Sequence, residues 1–475
     1  MQGHTHSQQQ YRQYVQPTSQ IGFHGASVRI CAHLRKLSPQ KYCFSPTYAN
    51  FFEEKTFFPH FCPINFPFVQ PLLLFFLHKC KKNTTFARQM KNLDIVAAKY
   101  MKKASFLKIV LIVTCGLMLL AGCHRKPANE SAILSNQFAK GFTISECENW
   151  TKLVVFSPWQ SGQILQTYYL VRSENINAPK NGIRITVPIR RIALTSCTHI
   201  GFLKALNCME SVYGICSPEI VYNQDIFEPK DGHQVINTGD AMTPNVELIV
   251  RTNPDIVMVS TYAQGDAATA KLNSVGLPVL YNNEWTENDP LARAEWIRVV
   301  GALYDKLPQA DSIFEEVVSS YNALKAKTTN ITSKRTIMSG NNFRGTWYMP
   351  AGQTYMGQLF KDAGADYAFQ NDTSHFSIPL GIESVTHTFR NADVWVGCPA
   401  KSLEELAKMD EKHTWFKSYK VGEVYNFAKR TTATGGNDFW ETGVVRPDYI
   451  LQDLIKVLYP ELIADKEFVF SEHLQ

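Results

Sequence analysis

From residue 142 onward the chain alternates short apolar, β-branched runs with segments whose apolar residues recur every three or four positions. LVVFSP and ILQTYYLVRS read as an antiparallel strand pair. IRRIALTS (189–196) is a β-branched run, and the CTHIGFLKAL that follows has helical spacing with Thr198 placed to cap it. SVYGICSP, VELIVRTNPDIVMVS and LPVLYN continue the rhythm, which predicts a mostly parallel sheet with helices on its faces.

One longer segment interrupts the alternation. In PQADSIFEEVVSSYNALKAK (308–327), Ala310, Ile313, Phe314, Val317, Val318, Tyr321 and Leu324 follow the spacing of a single helical face. Twenty residues of helix extend about 30 Å, enough to cross from one lobe to another. Pro308 suits the first turn, and TTNITSK supplies the exit. A second alternation follows, from KRTIMSG through SVTHTFRNADVWVG and EVYNF to a last amphipathic helix in RPDYILQDLIKVLYPEL. The expected fold class is therefore α/β: an N-terminal lobe with a small β addition over 142–304, a linking helix over 305–330, and a C-terminal lobe over 331–475.

The first third of the chain reads differently. Met101-Lys102-Lys103, an apolar stretch from Phe106 to Leu120, and Leu120-Ala121-Gly122-Cys123 have the order of an export signal. Residues 101–122 are expected to be that signal, and 123–141 a solvated tether. Residues 1–100 hold few acids and no sustained periodicity, including the run FFPHFCPINFPFVQPLLLFFLHKC. The simplest expectation is a disordered, over-extended reading frame with translation starting at Met101; the alternative is an N-terminal domain followed by an internal membrane anchor. The charge divides accordingly, since residues 1–122 carry 15 basic and 3 acidic side chains while 123–475 carry 33 and 39. The acidic remainder gives no electrostatic case for nucleic acid.

Chemistry-bearing motifs are few. There is no G-x-S-x-G elbow, P-loop or H-E-x-x-H, so catalysis has only TSCTH or the Asp366/Asp372/His375 neighbourhood to draw on. The histidines His199, His233, His375, His387 and His413 are scattered without metal-ligand spacing, and no metal site is expected. Beyond Cys123 lie Cys147, Cys197, Cys208, Cys216 and Cys398, an odd number with no C-x-x-C pair. They are expected to be small buried residues, although Cys208 and Cys216 are close enough in sequence to bridge.

The succession RRIALTS-x-T-H, NVELIVRTNPDIVMV, ARAEWIRVVGALYDK, a long helix and NDFWETGVVRPDYILQDLIKVLYPEL resembles the substrate-binding lipoproteins of iron-chelate and cobalamin ABC importers. The resemblance covers about residues 185–475, and its most specific phrase is E-L-I-V-x-x-x-P-D-I-V. It implies two Rossmann-like lobes joined by one long backbone helix, a ferric siderophore or cobalamin as cargo, no cofactor, and a permease with its ATPase as partners. It also implies a monomer lipid-anchored through Cys123 in the periplasm. Haem is an alternative cargo, and a lipid-anchored hydrolase is the alternative from another class.

In open α/β lobes ligands sit beyond the carboxyl ends of the strands. Ser196, Thr198, His199, Tyr262, Trp285, Trp347, Tyr348 and Trp440 follow strand-like runs or precede the last helix, and they are the expected ligand-binding residues. Trp347 and Tyr348 are adjacent and face opposite ways on a strand, with Trp347 expected in the pocket. His199 either ligates or hydrogen-bonds cargo, or packs. Trp440 either lines the pocket or caps the last helix. Glu247 and Glu383 each open a short segment before a strand-like run, one per lobe, and the resemblance implies that they dock the lobes onto permease arginines.

Overall fold

The computed structural model describes residues 132–229 and 232–475. Residues 1–100, the signal at 101–122, Cys123 and the tether up to residue 131 lie outside the described residues.

Three parts follow one another along the chain. The β addition is a five-stranded sheet of Ala132–Leu134, Phe142–Glu146, Trp150–Phe156, Ile164–Val171 and Ile183–Thr186, in that order across the sheet. Its first four strands pair antiparallel and its last two parallel. The first lobe holds a parallel sheet ordered Val279–Tyr281, Ile256–Val259, Ile192–Leu194, Val212–Ile215, Ile236–Asn237. The second holds Ile337–Ser339, Val394–Val396 and Val424–Asn426 in parallel, with Glu472–His473 added antiparallel. This is the two-lobed α/β architecture that the alternation predicts.

The linking helix runs over Leu307–Thr328 with Pro308 in its first turn. Ala310, Phe314, Val317, Tyr321 and Leu324 are buried, while Ile313 and Val318 flank them half-buried. That stripe packs along the helix Pro447–Leu458, and one core cluster runs through the β addition, both lobes and the linker, with a second, smaller cluster around Ile249, Val257 and Leu272 in the first lobe.

Residues 132–141 correct the expected tether. Ala132–Leu134 is an edge strand, and the backbone behind it is strapped to the first lobe by two buried carboxylates. Glu295 accepts the amides of Gln137, Phe138 and Ala139 at 2.7–2.9 Å, and Glu287 accepts those of Lys140 and Gly141 at 3.0 and 2.8 Å. Phe142 then meets Trp296 edge to face at 5.0 Å. A buried carboxylate must be hydrogen-bonded to be tolerated, and five successive amides meet that need.

The lobes also meet through glycine. A β-carbon on Gly201, in the helix Thr198–Ala205, would lie 2.1 Å from the carbonyl oxygen of Glu441, and one on Gly436 would lie 2.1 Å from that of Val221. The Glu441 side chain is fully buried and accepts from the amide of Tyr222 and from the amide and side chain of Asn223. The segment 436–445 is thus fastened to the first lobe although it comes late in the chain.

Two substitutions test these contacts. Glu295→Ala leaves three amides without their acceptor and should lower stability by about 3 kcal/mol or more in urea unfolding; a loss under about 1 kcal/mol would mean the strap contributes little. Gly201→Ala forces the helix away from Glu441 and should cost about 1–3 kcal/mol, as overpacking does; an unchanged melting temperature would contradict the close approach.

Candidate ligand-binding site

Three loops of the first lobe converge at the carboxyl ends of its strands: 195–199, 260–262 and 282–285. They carry Ser196, Thr198, His199, Tyr262 and Trp285, so five of the eight expected residues are brought together. Thr198 is not the helix cap. It is the first helical residue behind Cys197, and the Ser196 hydroxyl accepts its amide at 3.3 Å and lies 2.9 Å from its hydroxyl. The Thr198 side chain is instead hydrogen-bonded to Glu284.

His199 is fully buried, its Nε2 3.1 Å from the Ser260 hydroxyl and 4.0 Å from a Glu284 oxygen. Burial pushes its pKa down to about 3, so the imidazole is neutral and the Glu284 contact is not an ion pair. Burial also raises the Glu284 carboxyl, opposed by the charge of Arg293 and the Thr198 hydrogen bond. The Tyr262 hydroxyl is raised by burial and then by Glu284. Tyr262 and Trp285 present tilted rings 5.4 Å apart, forming an aromatic lip over this polar group. Beside Tyr262, an open cavity of ≈ 120 Å³ is lined by Thr195, Met242, Ser260, Asp266 and Thr269. It is smaller than a pocket for an organic ligand, which spans about 300–1,000 Å³.

The second lobe places its expected residues otherwise. Trp347 is 1 % exposed and packs with Trp395, His413 and Phe416 at 5.5–5.6 Å, its indole N–H donating to the Ser339 carbonyl at 2.7 Å. The expectation that it faces the pocket is therefore corrected: strand alternation turns it into the lobe core. Tyr348 takes the opposite face and is half-buried. Trp440 is half-buried at the lobe junction, edge-on to Phe439 at 4.8 Å. Glu247 and Glu383 are exposed and equivalent, each the second residue of a short helix, Val246–Arg251 and Ile382–Phe389.

Sequence reasoning missed Glu284, Arg293 and Tyr355. Arg293, on the helix Pro290–Glu295, donates to the Trp285 carbonyl at 2.9 Å and stacks 4.1 Å over Tyr355 of the second lobe. Within ARAEWIRVV it has the spacing of an ordinary helical face, and no local signal marks it. Asn288 of the first lobe reaches His375 Nδ1 of the second at 2.8 Å. Among the described residues no three His, Cys, Asp or Glu side chains gather to hold a metal ion. The five described cysteines are unbridged; Cys147 is half-buried and the others are buried.

Residues 215–431 match the family model described as periplasmic binding protein. Two lipoproteins of Methanocaldococcus jannaschii are similar: MJ0878, 28% identical over 294 residues that cover 60% of this chain and 69% of that protein, and MJ0872, 24% identical over 61% and 75%. Among solved structures, an ABC transporter substrate-binding protein from Listeria monocytogenes is 18% identical with a TM-score of 0.43, covering 57% of this chain and 99% of its own. The periplasmic heme-binding protein RhuT from Roseiflexus is 18% identical with a TM-score of 0.45 and the same coverage. The matched segment 215–431 runs from the first lobe across the linking helix into the second.

Proposed function

We propose that this protein is the lipid-anchored receptor of an ABC importer, capturing a metal chelate, a ferric siderophore or cobalamin, between its lobes and passing it to the permease and its ATPase. The observation that carries the reading is the convergence of Ser196, Tyr262 and Trp285 at the strand ends beside the second lobe. An aromatic lip over a polar floor is what a bulky organic ligand with a few polar anchors needs. His199 is committed to Ser260 and buried, so it hydrogen-bonds beneath the site and is not an open ligand for iron. Haem bound through that imidazole is accordingly disfavoured.

The anchor reading rests on the Leu120-Ala121-Gly122-Cys123 box and is supported by the lipoprotein relatives. A single acyl chain binds membranes only marginally, so the Cys123 modification must supply more than one. Glu247 and Glu383 sit exposed at matching helix starts, where the macrodipole favours a negative charge and a cationic partner can reach it.

Titrating the full-length chain with a ferric catecholate, a ferric hydroxamate, cobalamin and haem, while tryptophan emission is followed, should give saturable one-to-one quenching by one chelate; no response to any sinks the receptor reading. Replacing Glu247 and Glu383 together with alanine should reduce uptake in cells and leave that affinity within about twofold, as a rim charge does. A matching loss of affinity would place these glutamates at the ligand instead.

A further inference from the structure

A guanidinium buried without a counter-ion is costly. Arg293 is 5 % exposed and forms no ion pair among the described residues. One of its terminal nitrogens serves the Trp285 carbonyl and its plane lies on the Tyr355 ring, but its Nε has no hydrogen-bond partner. Glu284 feels its charge, but no carboxylate oxygen lies within ion-pair distance of the guanidinium among the described residues.

The neighbouring side chains are short of partners in the same place. Trp285 Nε1, Asn283 Nδ2, Asn282 Oδ1, Glu284 Oε2 and His199 Nδ1 are buried and unpaired. With Arg293 Nε they make six of the ten such atoms among the described residues. Folded proteins satisfy nearly all buried polar groups, so this concentration at one set of strand ends marks a place where a ligand supplies the missing partners. Three of the six are donors, an indole N–H, an amide N–H and the guanidinium N–H itself, while Asn282 Oδ1 and Glu284 Oε2 are oxygens and His199 Nδ1 takes either role.

We propose that this floor of the crevice receives a carboxylate of the cargo, with Arg293 as its counter-charge and Trp285 Nε1 and Asn283 Nδ2 as its further donors. The assignment rests on the receptor reading and narrows it to chelates that carry carboxylates. Tyr355 covers the guanidinium from the second lobe, so both lobes build the site. Removing the Arg293 charge would weaken a carboxylate chelate selectively.

The test uses the full-length chain, ferric citrate as the carboxylate chelate and ferrioxamine B as a hydroxamate chelate without free carboxylates, with tryptophan emission as the readout. Ferric citrate should bind at least about tenfold tighter than ferrioxamine B, and Arg293→Gln should lose at least about tenfold for ferric citrate, the scale of a lost charge-assisted hydrogen bond. Arg293→Lys, which keeps the charge, should recover part of that loss. Wild-type affinity for ferric citrate in a folded Arg293→Gln variant overturns the proposal. Should that variant not fold, the wild-type ratio decides, and equal or weaker binding of ferric citrate overturns it. Binding of ferrioxamine B alone overturns the carboxylate assignment and leaves the receptor reading standing; binding of neither, nor of cobalamin or haem, removes both.

Discussion

The approach of Gly201 to the Glu441 carbonyl governs the crevice. Helix Thr198–Ala205 can lie against 436–445 only because no side chain separates them there, and the Glu441 carboxylate completes the seam by gripping 222–223. The linking helix alone would leave the two sheets joined at one side. With the seam in place, the strand ends of the first lobe and the second-lobe residue Tyr355 are held at a fixed separation, and Arg293 can reach across. The aromatic lip, the polar floor and the pairing of Asn288 with His375 all presuppose that separation.

The floor illustrates how the first lobe tolerates so many polar groups in its interior. Helix and strand ends leave backbone groups to be satisfied, and loops at strand ends carry Asn, Ser and Thr for that purpose. Asn283 closes one loop onto Thr261, accepting both its amide and its hydroxyl, and Ser260 holds His199. Order in this region comes from local bonds of this kind, which fix the loops without covering every polar atom.

Legibility in the sequence followed the range of the interaction. The two alternating lobes and the linking helix were readable, because periodicity is a local property and the stripe from Ala310 to Leu324 announces its buried face. The placement of Ser196, Tyr262 and Trp285 at strand ends was readable because topology puts the loops there. Trp347 was misjudged because alternation tells that two neighbours face opposite ways without telling which side is the core. Arg293 and the Glu295 strap were invisible. The strap joins residues 156–158 positions apart, and a charged side chain in a helical pattern carries no mark of the backbone it will meet. Glu247 and Glu383 stand out in the sequence through their paired placement, which the equivalent helix starts reproduce.

The seam also links the lobes to proton concentration. Burial raises the Glu441 carboxyl to about 7, against the bonds from Asn223 and Tyr222 and with a further push from Asp438. Around it, Asp438 is paired with Arg430 at 2.9 Å, and Lys204 of the facing helix is bound to Asn223. A carboxyl whose folded value lies above its unfolded one contributes stability that is complete below the unfolded value and lost as pH rises through about 7. Ionising Glu441 therefore costs the fold stability as pH rises, the reverse of a surface carboxylate held by an ion pair.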